Sequence, residues 1–207
     1  MRYIVVGVEA MCWEDGSARS RNEKEIIEIG AVRLGENLEI VDEFGACVRP
    51  VVHPQLSGFC TELATITQAS VDHAEPFPLV FARFLAWIGD VRHRLCSWGA
   101  YDLNQFRLDC RRAGVSMPGW FEVGHVNLKE EFAQWRGVRR CGMATALAQL
   151  DLGLEGTHHG GIDDARNIAR IAQQVLPHVG RNALDRMVDI AEASGMYDLT
   201  AEPKRTR

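Results

Sequence analysis

The run Arg2-Tyr3-Ile4-Val5-Val6-Gly7-Val8-Glu9 constrains this chain more than any other segment. It is short, apolar at nearly every position and bounded by polar residues, so it reads as a buried central strand. A strand apolar at both parities needs cover on both faces of its sheet, which asks for helices above and below. The run also ends on a carboxylate, Glu9, at a place where burial gives a charge no obvious reason to be.

The rest of the chain supplies the sheet and its cover. Residues 11–24 are rich in Ser, Arg, Asn and Glu and read as a connecting loop. Residues 26–32 and 39–44 read as strands turned at Gly35-Glu36-Asn37, which makes an antiparallel meander of three strands. Pro50, Pro54 and Gly58 mark a long loop, followed by a short helical stretch around Thr61–Thr67. Residues 78–89 open with Pro78 and close with Gly89, the asymmetry of a helix. Leu95–Trp98 is a short strand ending at Gly99, and 102–113 is a helix with Leu103, Phe106 and Cys110 as its apolar stripe. Further helices are expected at 128–135, 142–150, 162–176 and 181–194. Strands first, then strands alternating with helices, define an α/β chain: a mixed β-sheet, an antiparallel meander plus parallel strands, flanked by helices. One domain is expected over 1–178, with 179–207 adding a C-terminal helix and a basic tail. The helix at 181–194 either closes the core or offers a homodimer contact; oligomeric state stays open.

Composition narrows the class. The 207 residues are 46% hydrophobic and 25% charged, enough for one substantial core and too apolar for disorder. A formal charge of −5 excludes general attraction to polyanions, so any nucleic acid must be met by a local basic rim or by bound cations. Six cysteines, none in a CxxC pair, argue against a zinc site and for reduced, partly buried thiols in a cytoplasmic protein. No apolar run approaches the ~20 residues that span a bilayer, so no membrane association is expected.

Three acids stand at the ends of buried elements: Glu9 after the first strand, Asp102 at the start of a helix, and Asp164 at the start of the last helix of the domain. Carboxylates converging from separate elements hold hard cations. Mg²⁺ or Mn²⁺ so held activates water and stabilises a leaving oxygen in phosphodiester hydrolysis. Before Asp164 comes His158-His159-Gly160-Gly161-Ile162-Asp163, in which His158–Asp163 and His159–Asp164 are both five apart. Helix phase decides between them. Ile168, Ile171 and Val175 share a face with Asp164, whereas Asp163 aligns with Asn167, Arg170 and Gln174 on the polar face. The working pair is therefore His159, a general base, and Asp164, a metal ligand; Asp163 is an outward charge at the helix start.

The segments IVVGVEAMCWE, HPQLSGFCTELATITQASVD, CSWGAYDLNQF, GMATALAQLDL and HHGGIDDARNIARI resemble the DEDDh 3′–5′ exonucleases, and most nearly the histone-mRNA 3′ exonuclease branch with its bacterial relatives. The resemblance covers roughly residues 2–178. It implies a ribonuclease H-like fold, a two-metal site for Mg²⁺ or Mn²⁺, and a single-stranded nucleic acid 3′ end, RNA ahead of DNA, threaded towards the metals. By the same resemblance Glu9, Asp102 and Asp164 are ligands and His159 is the base that deprotonates the attacking water. The family's first Asp is Gly7 here, so one ligand of the site is missing. Met11 replaces the threonine usual two residues after the Glu, and Ala64-Thr65 stands for the family's Thr-Gly. Met11, Trp13, Phe59 and Leu63 are the candidates for contact with the substrate.

Each of these residues also has a structural reading. His125 sits in an apolar-flanked strand and suits a structural histidine, and His53 belongs to a Pro-rich surface loop. Trp98 reads as core, while Trp13 and Phe59 lie in loops where bases can stack. Arg19, Arg21, Arg111, Arg112, Arg136, Arg139 and Arg140 form basic clusters that are solvated faces or nucleic-acid paths. The alternative to an exonuclease is a catalytically silent module on the same fold that binds 3′ ends or a protein partner.

Overall fold

The apolar run at the N-terminus becomes β1 (Arg2–Ala10). Antiparallel to it lies β2 (Ile26–Leu34), and antiparallel to β2 lies β3 (Ile40–Cys47). On the other side, β4 (His93–Ser97) runs parallel to β1 and the short β5 (Val126–Asn127) runs parallel to β4. The sheet order is β3-β2-β1-β4-β5, which puts β1 in the middle as its composition requires. The computed structural model describes residues 2–14, 23–64, 66–90 and 93–179. The expected helix at 181–194, the tail, Arg19, Arg21 and Thr65 lie outside the described residues.

Alternation along β1 builds two cores. Ile4, Val6 and Val8 face α3 (Phe77–Ile88) and α4 (Tyr101–Ala113), packing with Phe81, Phe84, Phe106 and Phe121. Val5 faces the other way, with Val32, Leu34 and Cys96, onto α6 (Leu128–Arg136), α7 (Met143–Gln149) and α8 (Gly161–Val175). α8 contributes Ala165, Ile168, Ile171, Ala172 and Val175 to that core, so its apolar stripe lies on the sheet as its periodicity requires.

Two local details depart from the sequence expectation. The single helical stretch at 61–67 is two helices, α1 (Gly58–Leu63) and α2 (Gln68–Asp72). Each has its own N-cap: Ser57 Oγ accepts from Cys60 N at 3.0 Å and Thr67 Oγ1 from Ser70 N at 3.1 Å. An unanticipated turn of helix, α5 (Trp120–Val123), precedes β5, and His125 lies just outside that two-residue strand.

One feature of the sheet sets the height of α8. Gly7 of β1 pairs with Gly30 of β2, and Gly30 with Gly45 of β3, a cross-strand row without side chains. The first turn of α8 lies in the trough this leaves. A Cβ at Gly30 would stand 2.1 Å from the carbonyl carbon of Gly161 and 2.3 Å from Ile162 N. Only glycine permits so close an approach of helix backbone to strand.

Candidate active site

Glu9 follows Gly7 by two residues and so points to the α8 face of the sheet, at the end of β1. Burial, then the charges of Asp164, Glu28 and Asp102, push its carboxyl up to about 8. Asp102 arrives from the opposite side of β1. The chain leaves β4, turns through Gly99 at φ 109° and starts α4, which carries Asp102 in its first turn. That side chain is 7% exposed, and its Oδ1 accepts the Val8 N–H at 3.0 Å, which fixes it between Gly7 and Glu9. Burial raises its pKa to about 6 against the pull of that amide.

Asp164 enters from the first turn of α8. The two histidines come with it: His158 Nδ1 stands 3.0 Å from Asp164 Oδ1, and the His158 and His159 rings stack with centroids 4.0 Å apart. Donor atoms of His158, His159 and Asp164 all lie within 4.8 Å of one another. His159 holds φ 69°, a left-handed conformation that a residue with a Cβ adopts at a cost of ~1–2 kcal/mol. Burial and the neighbouring His158 lower its pKa, which leaves a neutral imidazole able to accept a proton.

Helix phase chose Asp164 and His159, and both are in this cluster. His158, set aside by the same argument, is the ring that contacts Asp164. Asp163 is also more than an outward charge: it accepts Thr157 N at 2.9 Å and pairs with Arg166, which bridges to Glu43 of β3. Asn167, assigned to the polar face, is fully buried. Its amide joins the backbone of Glu155 in both directions and also donates to Asp163 O.

The substrate candidates divide. Met11 is 0% exposed, packed with Ile27, Leu56, Cys60 and Val71; this corrects its assignment to the substrate surface. Phe59 and Leu63 are 37% and 39% exposed on one face of α1. α1 lies beside the acids, since Cys60 contributes to the field at Glu9 and Ser57 Oγ donates to Cys12 O. Trp13 is half-buried, edge-on to His53 with centroids 5.2 Å apart. Trp98 packs on Phe132 and donates to Cys141 O, and His125 shares a 2.8 Å hydrogen bond with Ser97, so both are structural.

Sequence reasoning missed Glu28 and Tyr101. Glu28 pairs with Glu9 across β1 and β2 and accepts Gly161 N at 2.7 Å. Tyr101, immediately before Asp102, is raised by burial and by Asp102 and Glu9, so its hydroxyl stays protonated beside them. The signal for Tyr101 was its adjacency to Asp102; Glu28 gave none without the strand register.

Glu9 and Asp102, both raised by burial and by the charge of Asp164, with two imidazoles alongside Asp164, form an oxygen-rich set with borderline nitrogens. That donor chemistry fits a divalent cation, whose charge removes the mutual repulsion. A mixed sheet with a central-strand carboxylate, flanking acids from two helices and an adjacent histidine turn is the ribonuclease H-like nuclease architecture.

The chain belongs to the Exonuclease family (RNase_T), whose model matches residues 6–172. It is 34% identical over 182 residues to mouse 3'-5' exoribonuclease 1, covering 83% of this chain and 52% of that protein. It is 32% identical over 196 residues to ERI1 exoribonuclease 2 of Xenopus laevis, covering 84% of this chain and 28% of that protein. The chain therefore spans about half or less of these curated relatives. Among solved structures, the nuclease domain of 3'hExo, a DEDDh family member bound to rAMP, superposes with a TM-score of 0.79 at 30% identity, covering 86% of this chain and 92% of that one. Among the described residues, no helix is long and apolar enough to cross a membrane.

Proposed function

We propose that this chain is a divalent-cation-dependent 3′–5′ exonuclease acting on single-stranded nucleic acid ends, RNA ahead of DNA. The observation that carries the reading is the grouping of donor atoms of His158, His159 and Asp164 within 4.8 Å of one another, with Glu9 and Asp102, from two other elements, near enough to feel the charge of Asp164. RNA is placed first because the relatives named above are exoribonucleases. Glu9 and Asp164, with Asp102 reaching in from α4, would hold Mg²⁺ or Mn²⁺ in a two-metal arrangement from which Gly7 withholds one ligand. When bound, the cation supplies Lewis-acid activation of water and neutralises the phosphodiester charge. The protein's own part is orientation. The Val8 N–H holds Asp102, α8 holds Asp164, and a neutral imidazole at His159 takes the proton of the attacking water. Phe59 and Leu63 present an apolar face on which a terminal base stacks.

The test is shortening of oligonucleotides from the 3′ end, RNA and DNA in parallel, with Mg²⁺ or Mn²⁺. Asp164→Ala is expected to lose roughly a hundred- to ten-thousandfold in rate. His159→Ala and His158→Ala, compared side by side, show which ring is the base; its loss costs ~10²–10⁴. A second reading, a silent module that binds 3′ ends, is favoured by Gly7 alone. Oligonucleotide retained without digestion in either cation would replace the first reading with the second.

A further inference from the structure

Helix α8 carries Asp164 in its first turn, yet it has no cap of its own: its N-cap is Gly160, which makes no side-chain hydrogen bond. The four leading amides of a helix need partners from somewhere. Here one comes from the sheet. Glu28 Oε2, 133 residues earlier in the chain, accepts Gly161 N at 2.7 Å, and the backbone of Ile162 beside it also favours the ionised carboxylate. The fit is close on every side. A Cβ at residue 161 would stand 3.1 Å from the Glu28 carboxyl and 3.2 Å from Gly7 O. A second tie follows one turn later, where Arg166 bridges Glu43 of β3 and Asp163 of α8. The carboxylate also lies where the positive end of the helix dipole favours an anion.

We propose that Glu28 is a positioning residue, a cap supplied by β2 that sets the height of Asp164 and the His158–His159 turn over Glu9. It deepens the nuclease reading of the same site and rests on it. Glu28 opposes Glu9 in the register, so one strand pair fixes both the ligand from β1 and the helix that brings the ligand facing it. A carboxylate that accepts the leading amide of a helix acts through what it holds.

The test compares Glu28→Ala with Glu28→Gln in the full chain; the glutamine carbonyl still accepts an amide hydrogen. Hydrogen exchange at Gly161 is expected to be roughly 10- to 100-fold faster in Glu28→Ala, as loss of a charge-assisted hydrogen bond implies. Most of that protection returns in Glu28→Gln. Imidazole ¹⁵N shifts of His158 are the readout that a merely stabilising cap would leave alone. They are expected to move in Glu28→Ala as the bond to Asp164 loosens, and to stay put in Glu28→Gln. Unchanged exchange at Gly161 would overturn the cap. Faster exchange with unmoved His158 shifts would reduce Glu28 to a stabilising residue and overturn the positioning role. Neither readout needs turnover. A parent chain that digests nothing therefore counts against the nuclease reading, while exchange and ¹⁵N shifts still decide the role of Glu28.

Discussion

Replacing Gly30 by alanine isolates the contact on which the height of α8 depends. The added Cβ would lie 2.1 Å from Gly161 C, 2.2 Å from Gly161 O and 2.3 Å from Ile162 N, all of them backbone. Carbon atoms in good contact sit ~3.5–4.0 Å apart, so the first turn of α8 must lift by on the order of 1 Å. Overpacking of this kind costs ~1–3 kcal/mol. The lift also stretches the 2.7 Å bond from Gly161 to Glu28 beyond hydrogen-bond range, a further ~1.5–3 kcal/mol. Alanine recovers ~0.5–1 kcal/mol of backbone entropy. The balance is a loss of about 2–5 kcal/mol, or ~5–15 °C in Tm for a chain of this size. Gly45→Ala is the control. It stands in the same cross-strand row, but its Cβ would meet only the Ile162 side chain, at 3.7 and 3.8 Å, an ordinary contact. Urea unfolding followed by tryptophan fluorescence should find Gly45→Ala within ~1 kcal/mol of the parent. A Gly30→Ala protein as stable as the parent, or a Gly45→Ala protein equally damaged, would refute the account of the trough.

Two further perturbations test the scaffold. His125 is held down to about 4 from its ordinary 6.5 by burial and by Arg107, with Ser97 its hydrogen-bonding neighbour and Glu122 paired to that arginine. The unfolded chain therefore protonates first as pH falls: its contribution is intact above 6.5 and is lost between 6.5 and about 4, up to on the order of 3 kcal/mol. Urea midpoints at pH 7.5 and 4.5 should differ less in His125→Gln than in the parent. Asn167→Ala strands the backbone of Glu155 and should cost ~1–3 kcal/mol, with hydrogen exchange rising first around residues 155–157.

What the sequence made legible was whatever depends on local period. The both-sided apolar run of β1, the meander after it and the apolar stripe of α8 are all patterns of two or 3.6 residues, and they gave the sheet and its cover. Period also chose Asp164 over Asp163. It failed where two segments distant in sequence meet. Asn167 follows a polar phase along α8, yet it is buried because the loop at Glu155 comes back to it. Met11 is a substrate candidate because it takes the place of the family's threonine two residues after Glu9, but the cluster around Val71 closes over it. His158 became a partner of Asp164 only through the left-handed turn at His159, which no spacing argument anticipates. The separate caps Ser57 and Thr67 were readable in principle, since each precedes its helix directly.

Gly7 shows how the two kinds of information combine. Read along the chain, by the resemblance to the family, it stands where a ligand is expected. Read across the sheet, it is one end of the row on which α8 rests, and the space beside it is filled. A Cβ at residue 7 would lie 2.8 Å from Gly161 O and 3.2 Å from Ala165 N, with Asp164 Cβ at 3.4 Å. An acid at this position and α8 at its present height are therefore in conflict by a few tenths of an ångström. The conflict falls on backbone that Glu28 and Arg166 both hold down. Gly7→Asp thus changes two things at once: it adds a ligand, and it pushes up the turn that carries Asp164 and the histidines. A gain of activity from it would mean that the added ligand outweighs the disturbed seat. A failure to gain would say nothing about the ligand until Gly7→Ala, which disturbs the seat alone, had been measured beside it.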